Sequence, residues 1–106
     1  MPQWIYRIVP TRPEMLAAAT DEESAVVAEH FGYLQALKAA GILILAGRTQ
    51  VDEGTFGITI FEAPDEVTAR AVMQTDPAVS AGVMSAELYP YAVAARDGFA
   101  DSTIAT

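Results

Sequence analysis

The 106 residues of the chain include one histidine and no cysteine. The absence of cysteine excludes disulfides, thiolate catalysis and cysteine-ligated zinc, and a single histidine excludes a multi-histidine metal site within one chain. Imidazole is well suited to proton transfer near neutral pH. A lone histidine is a weak signal, however, and from the residues alone a buried histidine with a purely structural role is the simpler interpretation of His30. Acid–base chemistry at His30 is the alternative, and we expect neither a metal nor a cofactor.

Asp76 is a second residue whose type and position could contribute to chemistry. It precedes Pro77, and an Asp-Pro pair is also an ordinary signal for the end of a helix. A carboxylate at a helix C-terminus opposes the helix dipole unless a cationic or hydrogen-bonding group offsets it, and His30 could be that group. A carboxylate that orients a histidine is a common arrangement in general-base catalysis. The sequence alone does not establish that the two side chains touch.

Two further side chains are candidates for substrate binding. Arg48 could bind a carboxylate through two parallel hydrogen bonds, although a solvent-exposed loop arginine is the simpler interpretation. Ser80 lies in the sequence VSAG, which is not the pattern of a nucleophile elbow. We interpret Ser80 as a turn residue that could hydrogen-bond a ligand.

A long helix is predicted to carry His30. Thr20 as N-cap and Glu23 at the third helical position form a capping box, so the helix begins there. It runs to about Ala40, and Gly41 is well placed to end it in the left-handed conformation. Its apolar residues recur at helical spacing on the face that includes His30, which keeps the structural interpretation of that histidine open. The face comprises Val26, Val27, His30, Phe31, Leu34 and Leu37.

Four strands and a second helix complete the pattern. Apolar runs, alternating or continuous, predict the strands at residues 4–9, 42–46, 56–62 and 85–93. Pro64 sets up a helix at residues 65–75, and residues 78–83 are a predicted connection. Pro90 indicates an edge strand or a bulge. The order β-α-β-β-α-β predicts the α+β class, with a ferredoxin-like four-stranded antiparallel sheet and both helices on one face.

The sheet face opposite the helices also needs a cover. The strand at residues 42–46 is apolar on both faces, and the next strand presents Phe56, Ile58 and Ile60 on one face and Phe61 on the other. An exposed apolar face of that size is unusual in a monomer. Pairing of two copies, sheet against sheet, is the simplest cover, so we expect a homodimer.

Charge and hydropathy limit the partners and the location. Fourteen acidic and six basic residues give a net charge of −8, which repels phosphate backbones, so we expect no nucleic-acid partner. The longest uncharged apolar stretch lies within residues 39–47 and is too short to span a membrane. The first four residues lack the features of a signal peptide, so we expect a cytoplasmic protein. Residues 96–106 are small and polar, and we expect them to form a tail beside a single domain at residues 1–95.

Three stretches carry a family resemblance, namely EHFGYLQALKAAGILILAG at residues 29–47, GITIFEA at 57–63 and DPAVSAGVMSAELYPYAV at 76–93. In this order and spacing they resemble the YCII-related (YciI-like) family. The resemblance implies a dimeric α+β barrel with a pocket that contains a His–Asp pair, here His30 and Asp76. Some members of the family resemble lyases and isomerases that act on lactones or muconate-like acids. The family tends to have proline at the position of Arg48 and arginine at that of Tyr89.

The residues and the resemblance together predict a small-molecule enzyme without a cofactor. His30 would act as general base or acid, and Asp76 would orient it. The reaction would be isomerisation or elimination next to a carbonyl of a small organic acid or lactone. The alternative is a non-catalytic ligand-binding or interaction protein that uses the same pocket, and no sequence feature separates the two.

Overall fold

The computed structural model describes residues 1–97. Within them the chain forms four strands and four helices, and the two longer helices lie where the sequence predicts helices. The elements are β1 (Gln3–Pro10), α1 (Met15–Ala18), α2 (Asp21–Ala39), β2 (Leu43–Arg48), β3 (Gly57–Glu62), α3 (Glu66–Thr75), α4 (Pro77–Ser80) and β4 (Met84–Tyr91).

The four strands form one antiparallel sheet in the order β2-β3-β1-β4. Strand β1 lies inside the sheet and pairs with β3 on one side and β4 on the other, so that Tyr6 is opposite both Thr59 and Leu88. Strand β2 pairs with the other side of β3, with a register shift between Leu43 and Leu45. The prediction of a ferredoxin-like α+β fold is confirmed.

The core lies between the sheet and the helices. Successive side chains of a strand face opposite sides, and the alternate β1 residues Trp4, Tyr6 and Ile8 are all buried. The Tyr6 ring meets the Phe61 ring edge-on at a centroid distance of 5.7 Å. The Trp4 indole N–H donates to the carbonyl of Ala63 at 3.0 Å. These contacts fix the inward-facing side chains of β1, one of which reaches the candidate site.

Helix α2 begins and ends as the sequence predicts. The Glu23 N–H donates to the Thr20 hydroxyl at 3.1 Å, and the Thr20 N–H donates to the Glu23 carboxylate at 2.8 Å, which completes the capping box. Glu23 also accepts two hydrogen bonds from Arg12, at 2.6 and 3.0 Å. Beyond the other end, Gly41 has a φ of 75°, a conformation that glycine adopts without strain. The helix that carries His30 is thus fixed at both ends.

The main departure from the sequence prediction lies in the connection predicted at residues 78–83. Part of it belongs to a one-turn helix, α4. The N-cap of α4 is Asp76, whose side chain accepts a hydrogen bond from the Ala78 N–H. Pro77 stands at the first helical position, where its fixed φ suits a helix and its missing N–H leaves no donor unpaired. The same acidic residue therefore ends α3 and starts α4.

Two strand predictions can be compared directly with the sheet. Strand β2 runs on to Arg48 instead of ending at Ala46, because Arg48 still pairs with Gly57. Strand β4 is an edge strand among the described residues, as Pro90 predicts. Proline cannot donate to a ladder, and an edge strand has one side on which no donor is needed.

The sheet face opposite the helices carries apolar side chains. Ile5 is opposite Ile60 on one neighbouring strand and Tyr89 on the other, and Leu45 is also opposite Ile60. Directly opposed residues share a face, so these four side chains lie together. Leu45 and Tyr89 are 55% and 46% exposed. We refer to Ile5, Leu45, Ile60 and Tyr89 as the outer face.

Three expectations concern the chain as a whole. No helix within residues 1–97 is long and apolar enough to cross a membrane. No group of three or more histidine, cysteine or acidic side chains in that range could hold a metal ion. The predicted tail at residues 96–106 lies outside the described residues except for its first two, so the tail and its boundary stay predictions.

Candidate active site

The Asp76 carboxylate is fully buried at the corner between α3 and α4. The main-chain N–H of Ala78 donates to Oδ1 at 3.0 Å, and the Tyr6 hydroxyl donates to Oδ2 at 2.7 Å. The His30 ring completes the set, since its Nδ1 lies 2.8 Å from both carboxylate oxygens. Groups from β1, α2 and α4 thus meet at this one buried carboxylate, and both of its oxygens have partners.

His30 and Asp76 are in contact, which the sequence alone does not establish, although 46 residues separate the two. An ionised carboxylate can only accept hydrogen bonds, so the proton between them is carried by Nδ1. The other ring nitrogen, Nε2, then has a lone pair and no proton when the ring is neutral. Nε2 has no hydrogen-bond partner among residues 1–97 and is not sealed from solvent. The arrangement leaves one basic nitrogen free on an otherwise buried ring.

A cavity of about 460 Å³ adjoins His30, between α2 and the sheet. This volume is in the range of small-molecule sites, which are mostly apolar with a few polar groups. The polar side chains that line it include His30, Arg48, Thr55 and Thr59. Its apolar lining includes Ile8, Met15, Val27, Phe31, Phe56 and Met84. The cavity can therefore enclose a small ligand with an apolar body beside the histidine.

Arg48 lies at the end of β2 and lines the same cavity. Its side chain is exposed, and no hydrogen bond or ion pair joins it to a residue of the described part of the chain. By contrast, Arg7, Arg12 and Arg70 each pair with a glutamate. Arg48 is thus a surface arginine, as the simpler interpretation has it, but it belongs to a strand and borders the cavity. Its guanidinium is available to an anionic group there.

Ser80 lies apart from this arrangement. It is exposed at the end of α4, and its hydroxyl donates to the Pro77 carbonyl at 3.5 Å. It does not line the cavity beside His30. No observed contact supports the ligand-binding role predicted for Ser80, which stays a prediction.

The sequence does not single out Tyr6 and Thr59, which are both buried at the site. They are opposite each other on β1 and β3. Burial raises the pKa of the Tyr6 hydroxyl, and the negative charge of Asp76 adds to the rise, so the hydroxyl keeps its proton. Strand alternation predicts that Tyr6 is buried, but a tyrosine at such a position is normally interpreted as an ordinary residue of the hydrophobic core. Its polar partner depends on where the α3–α4 corner lies, which no local pattern indicates.

The structure combines a ferredoxin-like sheet with a histidine that is held by a buried carboxylate beside a cavity. The protein is therefore of the α+β class and has a candidate acid–base site. The model of the YCII-related domain matches residues 4–91 of the sequence. The chain belongs to the YCII-related family.

Among solved structures, the chain is similar to 5-chloro-2-hydroxyhydroquinone dehydrochlorinase (TftG) from Burkholderia phenoliruptrix AC1100, in complex with 2,5-dihydroxybenzoquinone. The two sequences are 25% identical, and the match covers 87% of this chain and 94% of that one, with a TM-score of 0.62. No curated protein sequence matches the chain. The similar structure is thus that of an enzyme with a small-molecule ligand.

Proposed function

We propose that the protein is an acid–base enzyme that acts on a small molecule in the cavity beside His30. The observation that carries the proposal is the difference between the contacts of the two ring nitrogens of His30. Asp76 binds Nδ1, whereas Nε2 has no partner among residues 1–97 and is open to solvent at a residue that lines the cavity. A purely structural histidine would have no need of a fixed tautomer and a free basic nitrogen at a cavity wall.

In the proposed reaction, Nε2 accepts a proton from a carbon next to a carbonyl. The electron pair of the broken C–H bond forms a carbon–carbon double bond. In an elimination the leaving group on the neighbouring carbon departs with the electron pair of its bond to that carbon. In an isomerisation the double bond forms towards the carbonyl carbon, the carbonyl π pair moves onto oxygen to give an enolate, and the imidazolium then returns the proton to another carbon as the C=O bond re-forms. Asp76 keeps the ring in the required tautomer and stabilises the imidazolium by its negative charge. The similar Burkholderia protein is named a dehydrochlorinase, which supports the elimination.

The proposed substrate class is a small organic acid or lactone with an apolar body. Arg48 would bind its carboxylate or developing enolate oxygen, because the guanidinium lines the cavity and has no partner among the described residues. Phe31 lines the same cavity, and its ring would pack against a planar substrate. No resident cofactor is required by this scheme.

We also propose that the protein is a homodimer in which the outer faces of two sheets pack together. The half-exposed Leu45 and Tyr89 support this arrangement, as does Tyr91 at the end of β4, which is 43% exposed. Burial of these side chains against a second copy would remove apolar surface from water. The cavity beside His30 lies on the opposite side of the sheet and would stay accessible.

The test is turnover of a panel of lactones and enol acids, followed by absorbance, with direct binding measured in parallel. We expect the wild type to turn over at least one compound and His30→Gln to bind it without turnover. Glu29→Gln is the matched control, since Glu29 precedes His30 on α2 but is exposed and does not line the cavity. Binding of panel compounds with no turnover by the wild type would favour a non-catalytic binding protein and overturn the proposal.

A further inference from the structure

The Tyr6 hydroxyl makes a contact that the packing of Tyr6 does not require. Tyr6 is fully buried on β1, and its ring packs edge-on against Phe61. Phenylalanine would make the same ring contact. The hydroxyl nevertheless donates to Asp76 Oδ2 at 2.7 Å, across 70 residues of sequence. The mechanism described above uses Asp76 and His30 but assigns no task to this tyrosine, which does not line the cavity.

We propose that Tyr6 is a positioning residue that fixes the Asp76 carboxylate and limits how strongly it attracts the proton of His30. The inference rests on the proposed function of the His30–Asp76 pair and extends it to a third side chain. It concerns positioning only, because the Tyr6 hydroxyl does not contact the reacting nitrogen.

The geometry of the carboxylate supports this role. Nδ1 of His30 lies at the same distance, 2.8 Å, from both carboxylate oxygens. Each oxygen has one further donor, the Ala78 N–H on Oδ1 and the Tyr6 hydroxyl on Oδ2. The two outer donors therefore hold the carboxylate plane from both sides while the ring nitrogen sits between its oxygens. Without the hydroxyl, Oδ2 would keep only its contact with the His30 ring.

The hydroxyl also changes the electrostatics of the pair. A hydrogen bond donated to a carboxylate stabilises its negative charge and reduces its pull on a neighbouring proton. Burial keeps the Tyr6 hydroxyl protonated by raising its pKa, whereas the neighbouring Thr59 side chain lowers that pKa and so makes the Tyr6 hydroxyl a stronger donor. Thr59 itself lines the cavity. The hydrogen-bonded series thus runs from Tyr6 through Asp76 to His30, which lines the cavity.

Tyr33, another tyrosine near the His30–Asp76 pair, provides a control for the substitution of Tyr6. Tyr33 on α2 is close enough for the Asp76 charge to contribute to its pKa, which burial and that charge raise to about 12. Its hydroxyl, however, donates to the Val72 carbonyl at 2.6 Å and not to Asp76. From the sheet side, Arg48 borders the cavity. Tyr33→Phe therefore removes a neighbouring phenol hydroxyl without changing the donors to Asp76.

The experiment is a nitrogen-15 NMR titration of the full chain labelled in histidine. The single histidine gives one pair of ring signals, whose shifts report both the tautomer and the titration. We expect the wild type to show a proton on Nδ1 and none on Nε2 above its titration step. In Tyr6→Phe the step should move to higher pH, because the carboxylate keeps more of its negative charge for the imidazolium. Tyr33→Phe should superimpose on the wild type.

A second variant and a clear contrary result make the proposal testable. If Tyr6→Phe does not fold, Thr59→Val tests the same point, since a weaker Tyr6 donor should shift the step in the same direction by a smaller amount. A Tyr6→Phe titration identical to that of the wild type would overturn the proposal. Because the signal comes from the ring and not from turnover, a failure to find any substrate would sink the proposed enzyme and leave this inference standing. Where a substrate is found, kcat should fall in Tyr6→Phe with KM little changed.

Discussion

Nδ1 of His30 lies 2.8 Å from each oxygen of the Asp76 carboxylate, so the ring is bound symmetrically and its other nitrogen is left open to solvent. The two residues come from α2 and from the corner between α3 and α4. Their contact is the centre of the candidate site, and the first two predictions concern it.

Activity should rise with pH through a single step, because imidazole must be neutral to accept a proton and the chain has no second histidine and no cysteine. His30→Gln should lose this step and about 100- to 10,000-fold in rate, which is the usual contribution of a general base. The measurement is a pH–rate profile on whichever panel compound turns over. An unchanged rate in His30→Gln would refute the catalytic role and leave a structural histidine.

Asp76→Asn should reduce kcat by roughly a hundredfold while the protein still folds, because the amide keeps the shape of the carboxylate but not its charge. The free energy of unfolding should drop by about 1–3 kcal/mol, since buried hydrogen bonds to a charged group are weakened. Kinetics and denaturant unfolding of the same sample measure the two effects. Wild-type kcat in a folded Asp76→Asn protein would contradict the orienting role.

Stability in acid should depend on the pair of Arg12 and Glu23. The hydrogen bond from Arg12, followed by that of the Thr20 N–H, lowers the pKa of Glu23 to about 2 from an ordinary 4.5. Because the folded-state pKa is the lower one, this stabilisation is present above the unfolded-state value and is lost as pH falls from about 4.5 towards 2. Across that window the wild type should lose more stability than Glu23→Gln in denaturant unfolding. Parallel losses would show that the pair contributes nothing to the acid dependence.

Sedimentation at micromolar concentration should give about twice the chain mass of 11.3 kDa if the outer faces pair. Leu45→Asp should shift the protein towards monomer, because it places a charge in the proposed interface. Val67→Asp is the control, since Val67 is an exposed apolar residue on α3, 81% exposed, and lies away from the outer face. A stable wild-type monomer would rule out the homodimer.

Removal of residues 100–106 should change the melting temperature little, because this segment has few apolar side chains to anchor it. The measurement is thermal unfolding of the full chain and of the shortened chain at equal concentration. A drop of many degrees would mean that the segment packs against the domain or against a second copy, and the boundary expected near residue 95 would then be wrong.

Local rules predict much of the fold. The capping box at Thr20, the left-handed Gly41 and the edge position of Pro90 each follow from the chemistry of one or two residues, and the structure shows all three. Helix α4 escapes prediction because a single turn of helix that starts at an Asp-Pro pair has the same local pattern as a turn.

The candidate site is less accessible to local rules. The contact of His30 with Asp76 spans 46 residues, so only the family resemblance suggests it. Tyr6 shows the limit more clearly, since its burial follows from alternation along β1 whereas its hydrogen bond depends on how the α3–α4 corner packs on the sheet. Patterns of sequence predict which side chains turn inward, and the packing of distant elements decides which polar groups then meet.

The placement of β1 inside the sheet has a consequence for how the site moves. Tyr6 sits on a strand paired along both sides, whereas Arg48 sits at the end of β2, which has one neighbour in the described sheet. Amide hydrogens of a doubly paired, buried strand exchange only in large opening events, whereas those near a strand end at a sheet edge exchange through local fraying. We therefore expect the Tyr6 amide hydrogen to exchange with solvent more slowly than that of Arg48.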